Sequence, residues 1–149
     1  MLLTTVSCQK EDNSEEIIKE EAWTTKSFIL KHNGLDRSYI LYKPDGFQNN
    51  APAPLLFVLH GFTSSSTTIM TYSQMNKIAD QNGFMICYPQ GTNLATGQTH
   101  WNANLQMSTI NDIDFLAQLA VKLQTEYNIN PKNTFASGMS NGGFMSYTL

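Results

Sequence analysis

The segment Gly138–Gly142, with the sequence GMSNG, constrains the fold of this chain more than any other feature. A strand-like stretch, 134–137, precedes it, and the residues from Asn141 onward are expected to form a helix. Glycine at both ends lets a strand turn sharply into a helix, so that Ser140 is held in a strained conformation with its hydroxyl exposed. The pattern predicts a serine nucleophile, and a glycine–serine turn without catalysis is the alternative.

The sequence before this segment predicts strands that alternate with helices. Two stretches rich in β-branched and aromatic residues flank Asn33-Gly34, a dipeptide typical of hairpin turns. Continuous apolar runs then favour strands buried on both faces of a parallel sheet. The expected strands are 24–30, 37–43, 55–59, 84–88 and 134–137, and the expected helices lie around 72–79, 116–127 and from Asn141 onward. We therefore predict an α/β fold with a mostly parallel sheet and an N-terminal antiparallel hairpin.

Length and charge fit one ordinary domain and disfavour one class of partner. The chain has 149 residues, and its net charge of −3 gives no basic surface for nucleic acid. Of the two cysteines, Cys87 lies in an apolar run and is expected to be a small buried residue. The cysteine and histidine spacing matches no metal site, so we expect neither a bound metal nor a disulfide framework.

The first 21 residues differ from the rest of the chain. The short apolar stretch Met1–Ser7 is followed by Cys8, which resembles the end of a bacterial lipoprotein signal. We expect residues 1–21 to be a signal remnant or lipoprotein-like leader with an acidic tether, and 22–149 to be the domain. Lipidation of Cys8 would attach the protein to a membrane, at the cell surface or outside the cell. A disordered tail with an incidental cysteine is the alternative.

A second element, His60-Gly61-Phe62, directly follows the apolar run 55–59. Acyl transfer builds negative charge on a carbonyl oxygen, which fixed N–H donors stabilise. The N–H groups of Phe62 and Asn141 fit these donor roles, and Gly61 fits the turn. We interpret His60 as a hydrogen-bonded residue that shapes this loop, and not as the catalytic base.

Other candidate residues lie in turns and loops. Trp101 lies in a long polar loop, where it either lines a substrate site or packs the loop against the domain. His100 beside it and His32 in the hairpin turn are expected to be exposed to solvent. Asn111 or Asp112 is expected to cap the helix that follows, and Asp112 and Asp114 are expected to serve as helix caps rather than to orient a catalytic base.

These motifs together resemble the secreted polyhydroxybutyrate depolymerase and feruloyl esterase family of α/β-hydrolases. The resemblance runs from about Arg37 to Leu149 and covers only the N-terminal part of the family's domain. The segments that match are 37–44 (RSYILYKP), 59–61 (LHG), 83–84 (GF), 88–91 (YPQG), 101–102 (WN), 111–113 (NDI) with Phe115, and 138–143 (GMSNGG).

The resemblance implies hydrolysis of carboxylic esters through a serine acyl-enzyme, without metal or cofactor. It implies Ser140 as the nucleophile and the N–H groups of Phe62 and Asn141 as donors of the oxyanion hole. Some family members pair cysteines near the tryptophan loop, and this chain has none there. That difference weakens the resemblance to the polymer-degrading subgroup.

A serine hydroxyl needs a histidine base that is oriented by a carboxylate. In an α/β-hydrolase the acid and then the histidine follow the serine along the chain. Residues 141–149 contain no acid and no histidine. We therefore expect a chain that is truncated after the nucleophile elbow, that lacks the triad Asp and His, and that is inactive and poorly soluble when expressed alone.

Three functional hypotheses follow from the sequence. The first is a secreted or surface-anchored esterase, whose substrate is an acylated polysaccharide such as acetyl or feruloyl xylan, a polyester, or a small ester. The second is a non-catalytic relative that binds a glycan or a protein partner. The third is a serine peptidase or thioesterase of the same fold.

Overall fold

A computed structural model describes residues 24–48 and 50–149. The expected leader 1–21, with Cys8, lies outside the described residues. The described elements, in chain order, are β1 (Thr25–His32), β2 (Leu35–Tyr42), β3 (Ala53–Leu59), α1 (Ser66–Ser73), α2 (Met75–Asn82), β4 (Met85–Pro89), β5 (Thr92–Asn93), β6 (Thr99–His100), α3 (Asp112–Glu126), β7 (Ile129–Gly138) and α4 (Asn141–Thr148).

Five strands form one sheet in the order β1-β2-β4-β3-β7. Strands β4, β3 and β7 run parallel, and the hairpin β1-β2 joins them antiparallel through β4. The hairpin turns at Asn33 and Gly34, which have φ values of 47° and 79°, as a tight hairpin turn requires. The predicted α/β fold with an N-terminal antiparallel hairpin is therefore confirmed.

The central strands are apolar throughout because their side chains alternate between two hydrophobic cores. In β3, Leu55, Phe57 and Leu59 belong to the core that includes residues of α3 and α4. Val58 and the partly buried Leu56 belong to the core that includes residues of α1 and α2. Helices therefore cover both faces of the sheet.

The elements between β3 and β4 differ from the single helix that the sequence predicts. The stretch 63–68, which is rich in serine and threonine, contains the start of α1, because the Ser65 side chain accepts a hydrogen bond from the N–H of Thr68 and caps the helix. Gln74, with φ of 55°, separates α1 from α2. Gly83, with φ of 70°, caps the C-terminal end of α2, and its N–H donates to the carbonyl of Ala79.

Strand β7 forms one edge of the five-stranded sheet. Phe135 on this strand is 56% exposed, and Phe144 and Tyr147 on α4 are 58% and 96% exposed. Such an apolar edge promotes association between chains. Within the described residues, no helix is both long enough and apolar enough to span a bilayer.

A buried histidine joins the hairpin to α3. His32 is 4% exposed, and its Nε2 lies 2.7 Å from a carboxylate oxygen of Asp114. The expectation that His32 is exposed is therefore wrong, because Asp114 provides a partner that lets the ring leave water. Hydrogen bonds from His32 and then from Gln118 lower the pKa of Asp114 below its ordinary value of 3.8.

This lowered pKa predicts an acid-sensitive contribution to stability. Since the folded state favours the ionised carboxylate of Asp114, its contribution is complete above the ordinary pKa and disappears as the pH falls through the lower folded value. We expect the substitution Asp114→Asn to lower the urea midpoint at pH 7, and the difference from the parent to shrink below about pH 4. Equilibrium urea unfolding at several pH values measures both.

Asp36→Asn is the matched control on the same hairpin. The Asp36–Lys31 ion pair has both side chains at least half exposed, at 54% and 80%, and exposed pairs add little to stability. We expect a smaller effect from this substitution. Equal losses for the two variants at pH 7 would contradict the contribution assigned to the His32–Asp114 contact.

Candidate active site

Ser140 lies at the turn between β7 and α4, with φ of 51° and ψ of −116°. Positive φ is unfavourable for a residue that has a Cβ, so this turn holds backbone strain. The residue is exposed, and its hydroxyl has no hydrogen-bond partner within the part of the chain that the structure describes. The hydroxyl is therefore free to meet an incoming group.

The turn requires glycine at both flanking positions, because the backbone there approaches other backbone closely. A Cβ on Gly138 would overlap the carbonyl group of Gly142 and lie 2.9 Å from the nitrogen of Gly143. A Cβ on Gly142 would overlap the carbonyl group of Leu59 and lie 2.5 Å from the carbonyl oxygen of His60. The first turn of α4 is therefore packed directly against the end of β3.

The loop that follows β3 lies beside this turn. A Cβ on Gly61 would lie 3.7 Å from the Cβ of Ser140. The N–H groups of Phe62 and Asn141 donate to no other group among residues 24–48 and 50–149. The structure thus brings the two segments with the expected oxyanion donors together at the serine.

His60 is fully buried and both of its ring nitrogens are engaged. Its Nδ1 donates to the carbonyl oxygen of Gly61 at 2.8 Å, and its Nε2 accepts from the N–H of Gly91 at 2.9 Å. Burial lowers the pKa of His60 below its ordinary value of 6.5, which keeps the ring neutral at pH 7. This arrangement favours a role in shaping the loop and leaves no ring nitrogen to take a proton from Ser140.

The side chain of Asn141 ties the serine turn to Trp101. Its Oδ1 accepts from the backbone N–H of Trp101 at 2.7 Å, and its Nδ2 donates to the carbonyl oxygen of Trp101 at 2.9 Å. The indole Nε1 of Trp101 donates to the carbonyl oxygen of His60 at 3.0 Å. Trp101 is fully buried, so it presents no ring face to a substrate, and the packing alternative replaces the expected substrate contact.

The side-chain role of Asn141 is not evident from the sequence, in which only its backbone N–H has an expected function. Asn141 is 4% exposed, and its partner Trp101 is 40 residues away along the chain. No local pattern links two residues at such a separation. The side-chain amide of Asn141 pairs with both the backbone N–H and the backbone carbonyl group of Trp101, so it fixes the tryptophan segment in a single position.

A buried ion pair fixes the next residue of the same segment, Asn102. Arg37 Nη2 donates to Asp112 at 2.6 Å, and the second oxygen of Asp112 accepts from the N–H of Asn102 at 2.7 Å. Arg37 is 2% exposed and Asp112 is 0% exposed. Of the two expected caps of α3, Asn111 is the one that the structure shows, and the Asp112 carboxylate is paired inside the domain instead.

His100 is also buried, contrary to the expectation of a solvated loop histidine. Its Nδ1 lies 3.0 Å from the carbonyl oxygen of Thr92, and its Nε2 lies 2.8 Å from the hydroxyl of Ser108. The polar loop around it is thus packed into the domain. Among the described residues no histidine forms a hydrogen bond with Ser140, and no three His, Cys, Asp or Glu side chains lie close enough together to hold a metal ion.

Solved structures with the same arrangement of strands and helices are known at low sequence identity. An S-formylglutathione hydrolase from Agrobacterium tumefaciens matches 87% of this chain and 54% of its own, with a TM-score of 0.66 and 12% identity. An acetyl xylan esterase from Aspergillus awamori matches 82% of this chain and 47% of its own, with a TM-score of 0.62 and 16% identity. The chain has the α/β-hydrolase fold.

Curated relatives match this α/β-hydrolase chain over about three quarters of its length. A bifunctional acetylxylan esterase/xylanase from Neocallimastix patriciarum is 29% identical over 117 residues, which is 78% of this chain and 16% of the relative. Feruloyl esterase B from Piromyces equi is 29% identical over 110 residues, which is 74% of this chain and 20% of the relative. The chain thus spans a fifth or less of these two proteins. No family model matches it.

The close approach at Gly142 predicts a large effect of one methyl group. We expect Gly142→Ala to lower the stability of the domain by roughly 1–3 kcal/mol, because the new Cβ would overlap the backbone at the end of β3. Urea unfolding followed by tryptophan fluorescence measures the change.

Gly143→Ala is the matched control, one residue further along α4. A Cβ there would lie 3.2 Å from the carbonyl oxygen of Gly138, and alanine favours the helix. We expect a much smaller loss than at Gly142. Similar midpoints for Gly142→Ala and the parent would show that α4 does not rest on β3 as described.

Proposed function

We propose that this domain belongs to a carboxylic ester hydrolase in which Ser140 is the nucleophile. The observation that carries the proposal is an exposed serine in a strained turn, beside two segments whose N–H groups have no partner in the described structure. Such a turn between a strand and a helix is the position of the nucleophile in α/β-hydrolases. The esterases among the relatives and structural neighbours support the same reaction class.

In the proposed reaction the hydroxyl oxygen of Ser140 attacks the carbonyl carbon of the ester, and a histidine base takes the hydroxyl proton. The carbonyl oxygen becomes negative and is stabilised by the N–H groups of Phe62 and Asn141, each worth about 3 kcal/mol in the transition state. The tetrahedral intermediate collapses, and the alcohol leaves with the proton. Water then attacks the acyl-enzyme and releases the acid and the free serine.

The base and its carboxylate must come from residues other than those described here. His60 and His100 are buried and fully engaged, and His32 pairs with Asp114. We propose that the acid and the histidine follow Leu149 in a longer protein, in keeping with the greater length of the relatives and the usual order of the triad. The chemistry of such a triad requires no cofactor.

Acylated polysaccharide is the substrate class that we propose. One relative is named for acetylxylan and another for feruloyl esters, and a structural neighbour is an acetyl xylan esterase. None of these names supports the polyester that the polyhydroxybutyrate depolymerase resemblance implies. A polymeric plant substrate lies outside the cell, so we propose that the protein is secreted or anchored at the surface, with Cys8 as the residue that would carry a lipid.

Sequencing the source DNA past the codon for Leu149 is the first test. An open frame that encodes an aspartate or glutamate and then a histidine supports the hydrolase. An immediate stop codon would overturn it in favour of a non-catalytic relative that binds a glycan or a protein.

Hydrolysis of p-nitrophenyl acetate and of acetylated xylan is the second test. We expect residues 1–149 alone to be inactive, and a longer protein with the full triad to be active. Ser140→Ala should lower its kcat by about 10⁴-fold or more, because a triad acts as a unit. Preferred cleavage of a peptide or a thioester by the longer protein would replace the proposed substrate class.

Ser137→Ala is the matched control, because Ser137 is another exposed serine, three residues away on β7. We expect this variant to keep its activity. Activity that survives Ser140→Ala would remove Ser140 as the nucleophile. Hydrolysis by residues 1–149 that depends on Ser140 would contradict the need for further residues.

A further inference from the structure

Trp101 contacts both of the segments that carry the expected oxyanion donors. Its backbone N–H and carbonyl group pair with the side chain of Asn141, at 2.7 and 2.9 Å, and its indole Nε1 donates to the carbonyl oxygen of His60 at 3.0 Å. Asn141 directly follows Ser140. His60 lies two residues before Phe62. One buried residue therefore joins the serine turn to the loop after β3.

The direction of the Phe62 N–H depends on His60. A trans peptide group is planar, so the N–H of Phe62 points away from the carbonyl oxygen of Gly61, which belongs to the same peptide group. That carbonyl oxygen accepts hydrogen bonds from His60 Nδ1 at 2.8 Å and from the N–H of Ser64 at 3.2 Å. These two hydrogen bonds therefore orient the peptide group and with it the donor.

Trp101 restrains His60 through two contacts. The indole N–H binds the carbonyl oxygen of His60, and the indole and imidazole rings pack with their centroids 5.1 Å apart. Both residues are fully buried, so neither side chain has solvent as an alternative partner. Without the indole N–H, the carbonyl of His60 would lose this donor at a buried position, which favours a shift of the loop toward another partner.

The second expected donor is restrained through the side chain of Asn141. Its backbone N–H lies in the first turn of α4, where N–H groups have no partner within a helix. The side chain of the same residue is buried and binds the backbone of Trp101 at both of its polar ends. The start of α4 therefore cannot move relative to Trp101 without breaking these two hydrogen bonds.

An oxyanion hole depends on the separation of its donors, because both N–H groups must come within about 2.7–3.1 Å of one oxygen atom. We propose that Trp101 is a positioning residue that holds the N–H groups of Phe62 and Asn141 at the separation that one oxyanion requires. This role rests on the proposed function for the substrate and the reaction. It adds a buried residue that acts through His60 and Asn141 and does not touch the substrate.

Trp101→Phe in the longer protein with the full triad tests this role, because phenylalanine keeps an aromatic ring and lacks the N–H. We expect kcat for p-nitrophenyl acetate to fall about tenfold, which is less than the roughly 10²–10³-fold loss that follows removal of a whole donor. KM should stay nearly unchanged, since the donors bind the developing oxyanion more strongly than they bind the carbonyl of the intact ester.

A thionoester, in which sulfur replaces the carbonyl oxygen, separates positioning from a general loss of structure. Sulfur accepts hydrogen bonds weakly, so the two donors stabilise the transition state of a thionoester less than that of an ester. We expect Trp101→Phe to slow the hydrolysis of p-nitrophenyl acetate more than that of p-nitrophenyl thionoacetate, so that the ester-to-thionoester rate ratio falls. A purely structural role would lower both rates by the same factor and leave the ratio unchanged.

Tyr88→Phe is the matched control. Tyr88 is another fully buried aromatic residue, and its hydroxyl donates to Oδ1 of Asn76 at 2.7 Å. Its side chain belongs to the core that includes residues of α1 and α2, whereas Trp101 belongs to the core on the other face of the sheet. We expect this variant to lose one hydrogen bond of a buried ring without a change in the ester-to-thionoester ratio.

Asn141→Ala provides a second variant, since it keeps the backbone donor and removes both side-chain bonds to Trp101. We expect this variant also to lower the ester-to-thionoester ratio. An unchanged ratio in both variants, or an equal fall in Tyr88→Phe, would overturn the positioning role and leave the hydrolase in place. A longer protein without Ser140-dependent hydrolysis would instead overturn the proposed function, so the two failures are distinguishable.

Discussion

The contact between the first turn of α4 and the end of β3 is the constraint on which the candidate site depends. Gly142 sits against the carbonyl groups of Leu59 and His60, with no room for a side chain. Because of this contact, the serine turn and the loop after β3 meet at one point. The two segments are about 80 residues apart along the chain, and the parallel pairing of β3 with β7 places their carboxyl ends side by side.

A network of buried hydrogen bonds supports this contact. The Asn141 side chain bonds to the backbone of Trp101, and the indole N–H of Trp101 donates to the carbonyl oxygen of His60. The Asp112 carboxylate accepts from the backbone N–H of the next residue, Asn102. Buried polar groups stabilise a structure only when their partners are in place, since an unpaired one keeps its full desolvation cost. The segment from Gln90 to Ile110 therefore has a fixed course near the site even though most of it is neither helix nor strand.

The sequence predicted those features that depend on local pattern. The hairpin at Asn33-Gly34, the buried strands and the serine turn follow from turn chemistry, apolar runs and paired glycines, all within a few residues of each other. Burial of the polar side chains could not be predicted in this way. His32 is buried because of Asp114, 82 residues away, and its environment exists only in the folded chain.

The same distinction applies within the site. The expected donor positions, Phe62 and Asn141, follow from motif spacing. The sequence left open whether Trp101 lines a substrate site or packs the loop against the domain, and the burial of its ring favours packing. An aromatic residue in a polar loop has no local signal that distinguishes an exposed ring from a buried one. The indole N–H of Trp101 donates to the carbonyl oxygen of His60 after β3, and this hydrogen bond lets the ring be buried in the core.

At Ser140 the strained backbone lowers the stability of the domain, while the same residue supplies the exposed hydroxyl. Glycine adopts positive φ without the steric penalty that serine carries, so replacing Ser140 by glycine would relax the turn and remove the hydroxyl at once. A laboratory selection for heat resistance alone would favour that exchange, and it would enrich stable variants that lack the hydroxyl of the proposed nucleophile. A stabilisation experiment on this domain would therefore have to retain Ser140 deliberately if the proposed reaction is to be kept.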